Sequence, residues 1–253
     1  MQLFCESRGA GEPLVLLHGW GFHSSAWNGF GDALAQRFNA WLIDLPGHGH
    51  STAAPLTSLD ALADDVAALI PDGSIACGWS MGAMAALALA LRHPRKVRAL
   101  GLIGATPCFA RRRGWTHGMT ASALDEFSRG LRDDPDATLA TFVRLNALAG
   151  PRSRATAHAM SALLAKRPRA RAQALEAGLA LLRATDLRDA AWSLRLPTVV
   201  VQGAQDRVVP AGAGRWLARA VRGAKLVEIA DASHLPFATH REATLAALES
   251  LHG

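Results

Sequence analysis

A serine between two glycines is the feature of this sequence best suited to chemistry. Residues 78–82, Gly-Trp-Ser-Met-Gly, match the pattern G-x-S-x-G, and they follow an apolar segment and precede an alanine-rich one. A serine on a sharp strand-to-helix turn is an exposed nucleophile, and such a turn leaves little room for side chains on its flanks. The bare pattern is common by chance, but this context predicts that Ser80 is a nucleophile.

A nucleophilic serine needs a base and a carboxylate, and candidates for both follow it in the chain. Asp206 and His234 each come just after a short apolar segment that is typical of a strand. The carboxyl ends of parallel strands meet at one edge of a sheet, where ligands bind. We expect His234 to remove the Ser80 proton while Asp206 orients the imidazole and stabilises its protonated form. Asp231, three residues before His234, is the rival acid.

These residues require a sheet whose strands alternate with helices. Short apolar segments bounded by Gly, Pro or Asp predict buried strands at 13–17, 40–43, 74–78, 97–103, 197–201 and 225–229. Helix-forming segments lie between them at 58–69, 82–93, 211–220 and 242–251. This alternation predicts an α/β fold with a mostly parallel sheet.

The alternation stops in the middle of the chain. Between about residues 108 and 192 the pattern predicts helices only, at 122–131, 135–148, 152–164 and 169–184. We therefore expect an α/β core made of residues 1–107 and 193–253. Residues 108–192 would form an inserted helical cap, or lid, over the carboxyl edge of the sheet, where lids commonly shape a substrate pocket.

The positive charge is concentrated in the same segment. Residues 108–195 hold 15 Lys and Arg against 8 Asp and Glu, a net charge of +7, whereas the rest of the chain holds 12 against 13. A basic surface favours an acidic partner, although solvated surface arginines are an equally good explanation of the charge alone. No recognition motif accompanies the charge, so nucleic-acid binding is not expected.

The remaining composition indicates a globular protein of a reducing compartment. Cys5, Cys77 and Cys108 are too few and too widely spaced for a disulfide framework or a zinc site. No segment resembles a secretion signal, and none has the roughly 18 apolar residues of a membrane span. We expect a cytoplasmic, monomeric protein with no membrane association. The serine chemistry needs no metal or organic cofactor.

Three further motifs make the chain resemble the α/β-hydrolase family. They are His18-Gly19-Trp20-Gly21 after the first predicted strand, the D-x-P-G-x-G-x-S stretch at residues 44–51, and the G-x-x-D-x-x-x-P stretch that holds Asp206. The resemblance implies the α/β-hydrolase fold and an oxyanion hole formed by the backbone N–H groups of Trp20 and Met81. In the second motif, Asp44 would brace a glycine turn, while His48 and His50 would lie at the surface.

Within this fold the chain is most similar to the esterases that demethylate pimeloyl-[acyl-carrier protein] in biotin synthesis. The cues are the motifs around Trp20 and Ser80, the stretch at residues 182–188, and Trp27. The resemblance implies an acyl carrier protein as partner. It also implies a substrate site formed by Trp20, Met81, Leu145, Asn146, Ala147, Leu148, Ala149 and His234, and carrier contacts at Arg144, Arg152 and Arg154. Leu145 departs from the family, which has an aromatic residue at that position.

Other functions remain open. One is a general carboxylesterase that acts on small free esters, and a weaker one is a carbon–carbon bond hydrolase of the same fold. A third is a hydrolase-like protein that binds a ligand without turning it over. Dehalogenase chemistry is disfavoured, because it needs an aspartate at the position of Ser80.

Overall fold

One seven-stranded sheet forms the centre of the molecule. The computed structural model describes residues 3–52, 56–149 and 153–252. The strand order is β1-β3-β2-β4-β5-β6-β7, and every neighbouring pair except β1 and β3 is parallel. The strands are β1 (Cys5–Arg8), β2 (Glu12–Leu17), β3 (Phe38–Ile43), β4 (Ser74–Trp79), β5 (Val97–Ile103), β6 (Thr198–Gly203) and β7 (Lys225–Ile229).

The central strands are buried, as their apolar sequences predict. All residues of β4 and β6 are buried, because helices cover both faces of a parallel sheet. The sequence did not reveal β1, whose residues Cys5–Arg8 are mostly polar and only partly buried. This edge strand is recognisable only through its antiparallel pairing with β3.

Helices flank the strands in the predicted alternation. They are α1 (Phe30–Leu34), α2 (Leu59–Leu69), α3 (Met81–Arg92), α8 (Arg188–Ala191), α9 (Ala211–Ala220), α10 (Pro236–Thr239) and α11 (Arg241–Glu249), with one 3₁₀ turn at Ser24–Trp27. The helix α3 is buried from Met81 to Ala90, so it packs tightly between the sheet and α2. Short alanine side chains make this close approach possible.

Besides the short α8, four longer helices lie between β5 and β6 among the described residues, where the sequence predicts helices only. They are α4 (Ala121–Asp133), α5 (Pro135–Asn146), α6 (Ser153–Leu164) and α7 (Ala172–Ala184). The side chains of Thr120 and Asp134 cap α4 and α5 by accepting N–H groups of the first turn. The helix α7 starts three residues later than predicted, because Arg171 has an extended backbone and forms the N-cap of the helix.

No helix in the described part of the chain is long and apolar enough to span a membrane. Within residues 3–52, 56–149 and 153–252, no cluster of His, Cys, Asp and Glu has the arrangement of a metal site.

Candidate active site

Ser80 occupies the turn between β4 and α3. Its φ of 57° is the only positive φ of a non-glycine residue among the described residues. The two glycines of the motif are required sterically. A Cβ on Gly78 would lie 2.1 Å from the carbonyl oxygen of Gly82, and a Cβ on Gly82 would lie 2.1 Å from that of Leu17. The tight turn therefore holds the Ser80 side chain at the carboxyl edge of the sheet.

Asp206 lies in the loop after β6 and is saturated with hydrogen bonds. Its Oδ1 accepts the backbone N–H groups of Val208 and Val209, each at 2.8 Å. Its Oδ2 lies 2.6 Å from Nδ1 of His234 and accepts the Gln202 amide at 3.2 Å. Four donors around one buried carboxylate fix its orientation.

His234 lies in the loop after β7, with its side chain fully buried. Since carboxylate oxygens accept hydrogen bonds, Nδ1 of His234 carries the hydrogen between them. The other ring nitrogen, Nε2, is buried and has no hydrogen-bond partner among the described residues. It is therefore free to accept a proton from a group in the pocket.

Trp79 connects the His234 loop to the Ser80 turn. Its indole Nε1 donates to the carbonyl oxygen of His234 at 2.8 Å, and its ring centroid lies 5.6 Å from the imidazole centroid. Gly104 also adjoins the imidazole, since a Cβ added there would lie 2.9 Å from the ring. Trp79 and Gly104 thus confine the imidazole of His234 close to the Ser80 turn.

The loop after β2 is fixed by a buried histidine. Burial, reinforced by the neighbouring His48, lowers the pKa of His18 to about 3, so the ring is neutral. Its Nε2 accepts the Leu45 N–H at 2.9 Å, and its Nδ1 consequently donates to the Gly19 carbonyl at 2.8 Å. These two bonds fix the backbone immediately before Trp20.

Trp20 and Met81, the predicted oxyanion donors, both lie at this edge of the sheet. Their side chains are buried, and the Trp20 indole donates to the Leu175 carbonyl of α7 at 2.9 Å. Neither backbone N–H has an acceptor among the hydrogen bonds of the described chain. Unsatisfied backbone donors near a nucleophile are the groups from which an oxyanion hole is built.

A small apolar pocket opens onto Ser80. Its volume is about 10 Å³, which is barely enough to admit one water molecule. Apart from Ser80, the lining is apolar or aromatic and comes mostly from the helices between β5 and β6: Trp20, Phe109, Met119, Phe127, Phe142, Leu179 and Leu182. An acyl chain can enter only when some of these side chains or helices move.

The stretch Leu145–Ala149, predicted to face the acyl chain, does not line this pocket. Leu148 is 46% exposed. Asn146 is buried and contacts the base instead, because its carbonyl accepts the His234 N–H at 3.2 Å. Phe142, one turn earlier on α5, lines the pocket. The apolar spacing of α5 identifies its buried face, but not which buried residue comes next to Ser80.

The loop that begins at Asp44 differs from its prediction in one residue. His48 is fully buried, not at the surface, and its Nδ1 lies 3.0 Å from the Pro46 carbonyl. The turn folds back under the His18 loop, and the two imidazole centroids are 5.2 Å apart. His50 is exposed, as expected.

Two of the three arginines predicted to contact a carrier protein are described. Arg144 and Arg154 are both exposed, and Arg144 donates to the hydroxyl of Thr141 at 2.8 Å. Neither forms an ion pair with a carboxylate of the described chain. Arg152 lies outside the described residues.

Comparison with known proteins identifies the family. The model of the alpha/beta hydrolase family matches residues 14–248. A pimeloyl-[acyl-carrier protein] methyl ester esterase from Chromobacterium violaceum is 38% identical over 98% of this chain and 97% of its own length. One from Aromatoleum aromaticum is 40% identical over 90% of this chain and 93% of its own.

Solved structures agree with these relatives. An esterase from Exiguobacterium antarcticum has a TM-score of 0.89 and 26% identity, with 98% of this chain and 94% of that one covered. A bromoperoxidase from Bacillus anthracis shares the fold, with a TM-score of 0.90 at 22% identity over 98% of this chain and 94% of that one. The resemblance seen in the sequence motifs is confirmed. The chain is a carboxylic ester hydrolase of the alpha/beta hydrolase family, and it belongs to the family of the pimeloyl-[acyl-carrier protein] methyl ester esterases.

Proposed function

We propose that this chain hydrolyses the methyl ester of pimeloyl-[acyl-carrier protein] by a Ser-His-Asp mechanism. The observation that carries the chemistry is the buried Asp206–His234 pair, which leaves Nε2 of His234 unpaired beside the turn that holds Ser80. The substrate is inferred from the relatives, whose names specify that ester and which match nearly the whole chain.

In the first half-reaction the Ser80 hydroxyl attacks the ester carbonyl carbon. Nε2 of His234 takes the hydroxyl proton, and Asp206 stabilises the imidazolium that results. The Trp20 and Met81 N–H groups bind the oxygen as it becomes negative, and each such donor contributes on the order of 3 kcal/mol to transition-state stabilisation. When the intermediate collapses, the imidazolium protonates the leaving methoxide. Methanol departs and the acyl group stays on Ser80.

Water completes the cycle. His234 removes a proton from a water molecule, whose oxygen attacks the acyl carbon. Collapse of the second intermediate returns that proton to Ser80 and releases the carboxylic acid, which ionises at neutral pH. An anionic product is poorly accommodated by the apolar lining around Ser80, which favours its release.

The helices between β5 and β6 supply the substrate site in this account. We propose that residues 108–192 form a lid on a core made of residues 1–107 and 193–253. The lid carries the excess positive charge. Arg144, Arg152 and Arg154 would contact the acidic carrier protein, and the stretch 145–149 would meet the acyl chain as it passes from the lid surface to Ser80.

The proposed enzyme acts as a cytoplasmic monomer, with the carrier protein as its macromolecular partner and without nucleic acid. The three cysteines are free thiols, as expected in a reducing compartment. Burial raises the pKa of the Cys77 thiol, so this side chain stays protonated and takes no part in the reaction.

One observation favours a second candidate, a general esterase for small free esters. The pocket on Ser80 is small, and no charged residue lines it. Such a pocket accepts any short apolar ester that reaches it, because nothing in it recognises a carrier protein.

The deciding experiment compares kcat/KM for methyl pimeloyl-[acyl-carrier protein] with kcat/KM for free dimethyl pimelate, at low and high salt, with Ser80→Ala as blank. The carrier hypothesis predicts a large preference for the carrier-bound ester that shrinks as salt screens the lid charges. Equal, salt-independent values would leave the serine esterase intact and exclude the carrier protein as the preferred substrate.

A further inference from the structure

The carboxyl-terminal end of lid helix α6 is held by side chains of the core. Its last carbonyl groups have no acceptable donor within the helix. The Ser25 hydroxyl donates to the Leu163 carbonyl at 2.9 Å, and Nε2 of His23 lies 3.1 Å from the Leu164 carbonyl. Because a carbonyl only accepts, Nε2 of His23 carries the hydrogen. His23 and Ser25 of the core thus add two donors to the end of α6, beside the Lys166 N–H that also reaches the Leu163 carbonyl.

Arg167, three residues beyond α6, strengthens this attachment with a charge. Its Nη1 lies 3.0 Å from Oδ2 of Asp44 and donates to the Ser24 hydroxyl at 2.8 Å. Its Nη2 lies 2.8 Å from the Glu6 carboxylate, and the guanidinium carbon lies 4.9 Å from the centroid of the Phe4 ring. The Arg167 side chain is only 8% exposed and that of Asp44 is fully buried, so the ion pair between them forms away from competing water.

Asp44 is built to receive this cation. Its side chain is fully buried. Its Oδ1 accepts the Ser24 N–H at 2.7 Å and its Oδ2 accepts the His50 N–H at 2.9 Å. Burial alone would raise the pKa of Asp44, but the hydrogen bonds from the Ser24 hydroxyl and from the backbone N–H groups of Ser24 and His50 favour the ionised form, and the pKa is lowered. The carboxylate is therefore ionised at neutral pH.

The same residues adjoin the loop of the candidate oxyanion donor. Ser24 is only four residues after Trp20, whose indole is held by the Leu175 carbonyl of α7. The helix α7 begins at Ala172, five residues after Arg167, and the Arg171 N–H donates to the Gly47 carbonyl at 2.9 Å. Trp20 therefore lies between the loop after β2 and the lid helix α7. The contacts of Arg167 connect these two elements.

We propose that Arg167 is a positioning residue. Through Asp44 and Ser24 it fixes the start of α7 against the Trp20 loop. The Trp20 N–H then stays aligned with Ser80 when other parts of the lid move. The attachment is a fixed point of the lid, since opening it would leave buried charges without partners. The helices that move to admit the substrate are then α4 and α5. The inference rests on the proposed ester hydrolysis at Ser80.

A neighbouring arginine supplies the matched control. Arg169, two residues further, forms an ion pair with Asp136 of α5, but its side chain is 72% exposed and that of Asp136 is 66% exposed. A solvated pair of this kind contributes little to structure. Arg167→Met and Arg169→Met make the same chemical change in the same loop and differ mainly in burial.

The test measures kcat and KM for p-nitrophenyl butyrate, a small free ester that needs no carrier protein. We expect Arg167→Met to lower kcat by roughly 10- to 100-fold with KM changed less than about 3-fold, because a misaligned oxyanion donor acts on the transition state. Arg167→Lys restores part of kcat, since it keeps the charge and loses the two-pronged geometry. Arg169→Met stays within about 2-fold of the wild type.

Hydrogen exchange separates positioning from loss of folding. In Arg167→Met, amides at 19–25 and at 163–175 should both exchange faster, while those of β4 and α3 keep wild-type rates. If Arg167→Met does not fold, Ser24→Ala, which removes one acceptor of Arg167, should lower kcat roughly 3- to 10-fold with KM unchanged.

A kcat within 2-fold of the wild type in both Arg167→Met and Ser24→Ala would overturn the proposal, as would equal losses in Arg167→Met and Arg169→Met. If the wild-type protein hydrolyses no ester, the proposed function fails instead. Exchange alone then decides about Arg167, and unchanged rates at 19–25 in Arg167→Met would refute its role.

Discussion

The two sides of the pocket are built on different principles. On the core side, the reacting groups are held by hydrogen bonds and by backbone geometry: Asp206 accepts from two backbone N–H groups and two side chains, and Ser80 is held by a strained turn. On the lid side, the pocket wall consists of apolar side chains from α4, α5, α7 and the segment before α4, and the outer surfaces of these three helices carry exposed arginines. The core side therefore determines which reaction occurs, and the lid side determines which substrate reaches it.

This difference explains which features the sequence predicts. The turn of Ser80 and the loops of Asp206 and His234 depend on local patterns, because a glycine or a strand end acts within a few residues. The strands and most helices follow from apolar spacing in the same way, and the fold class is confirmed.

The pocket wall depends on packing between distant segments. Phe109, Phe142 and Leu179 meet around Ser80 only after the helices pack, and no local pattern selects them from the other buried residues. The burial of His48 was mispredicted for the same reason, since its loop is covered by the His18 loop from another part of the chain. Arg167 likewise stands close to Arg169 and Arg171 around Pro168, and no local pattern shows which of these arginines is buried.

The sharpest test of the core side is Asp206→Asn. The amide would leave His234 in the wrong tautomer, so we expect kcat to fall roughly 10⁴-fold for every ester, with the fold intact. Asp231→Asn is the matched control, since Asp231 is 76% exposed and pairs with His240 at 3.0 Å. Steady-state kinetics on a small ester would contradict the assignment if Asp231→Asn had the larger effect.

The Ser80 turn should be intolerant of one added methyl group. Gly82→Ala places a Cβ 2.1 Å from the Leu17 carbonyl, and we expect the free energy of unfolding to fall by about 3 kcal/mol or more. Gly73→Ala is the comparison, because that glycine has a φ of 71° but open space around it. Gly73→Ala should lower the free energy of unfolding by about 1 kcal/mol, from backbone strain alone. Urea unfolding of both variants measures the difference, and equal costs would contradict steric crowding at the turn.

The buried loop of His48 should make the core sensitive to acid. Burial lowers the pKa of His48 to about 4, whereas an unfolded histidine takes up a proton near pH 6.5. Between these values the unfolded state binds more protons, so the free energy of unfolding falls as pH decreases, by up to about 3 kcal/mol from this residue.

Unfolding curves at pH 7 and pH 4.5 check this expectation. In His48→Gln the loss of stability between the two pH values should be smaller than in the wild type, whatever the stability at pH 7. His50→Gln, which changes an exposed histidine of the same loop, should keep the wild-type pH dependence. An identical pH dependence in all three proteins would show that His48 is not the source.

Changes on the lid side should alter selectivity and leave the reaction intact. Met119→Ala enlarges the pocket at a half-buried position, and we expect kcat/KM for longer or branched esters to rise roughly 3- to 10-fold relative to acetate esters. Leu148→Ala, in the stretch predicted to meet the acyl chain, tests the alternative route. A larger change of chain-length preference in Leu148→Ala would locate the acyl site there.

The smallest effects should come from the exposed arginines. Arg144→Gln and Arg154→Gln should each lower kcat/KM for the carrier-bound ester about 2- to 5-fold at low salt, with no effect on dimethyl pimelate. Arg219→Gln removes an exposed arginine from α9 of the core and should change neither value. A loss with Arg219→Gln as large as with the lid variants would indicate unspecific attraction by net charge.

The most direct test of the account is covalent labelling with a fluorophosphonate, followed by peptide mass spectrometry. The account predicts a single adduct, on Ser80, whose formation is abolished by Ser80→Ala and slowed at least about 100-fold by His234→Ala. An adduct on another residue, or no adduct in a folded wild-type protein, would contradict the claim that Ser80 is the nucleophile.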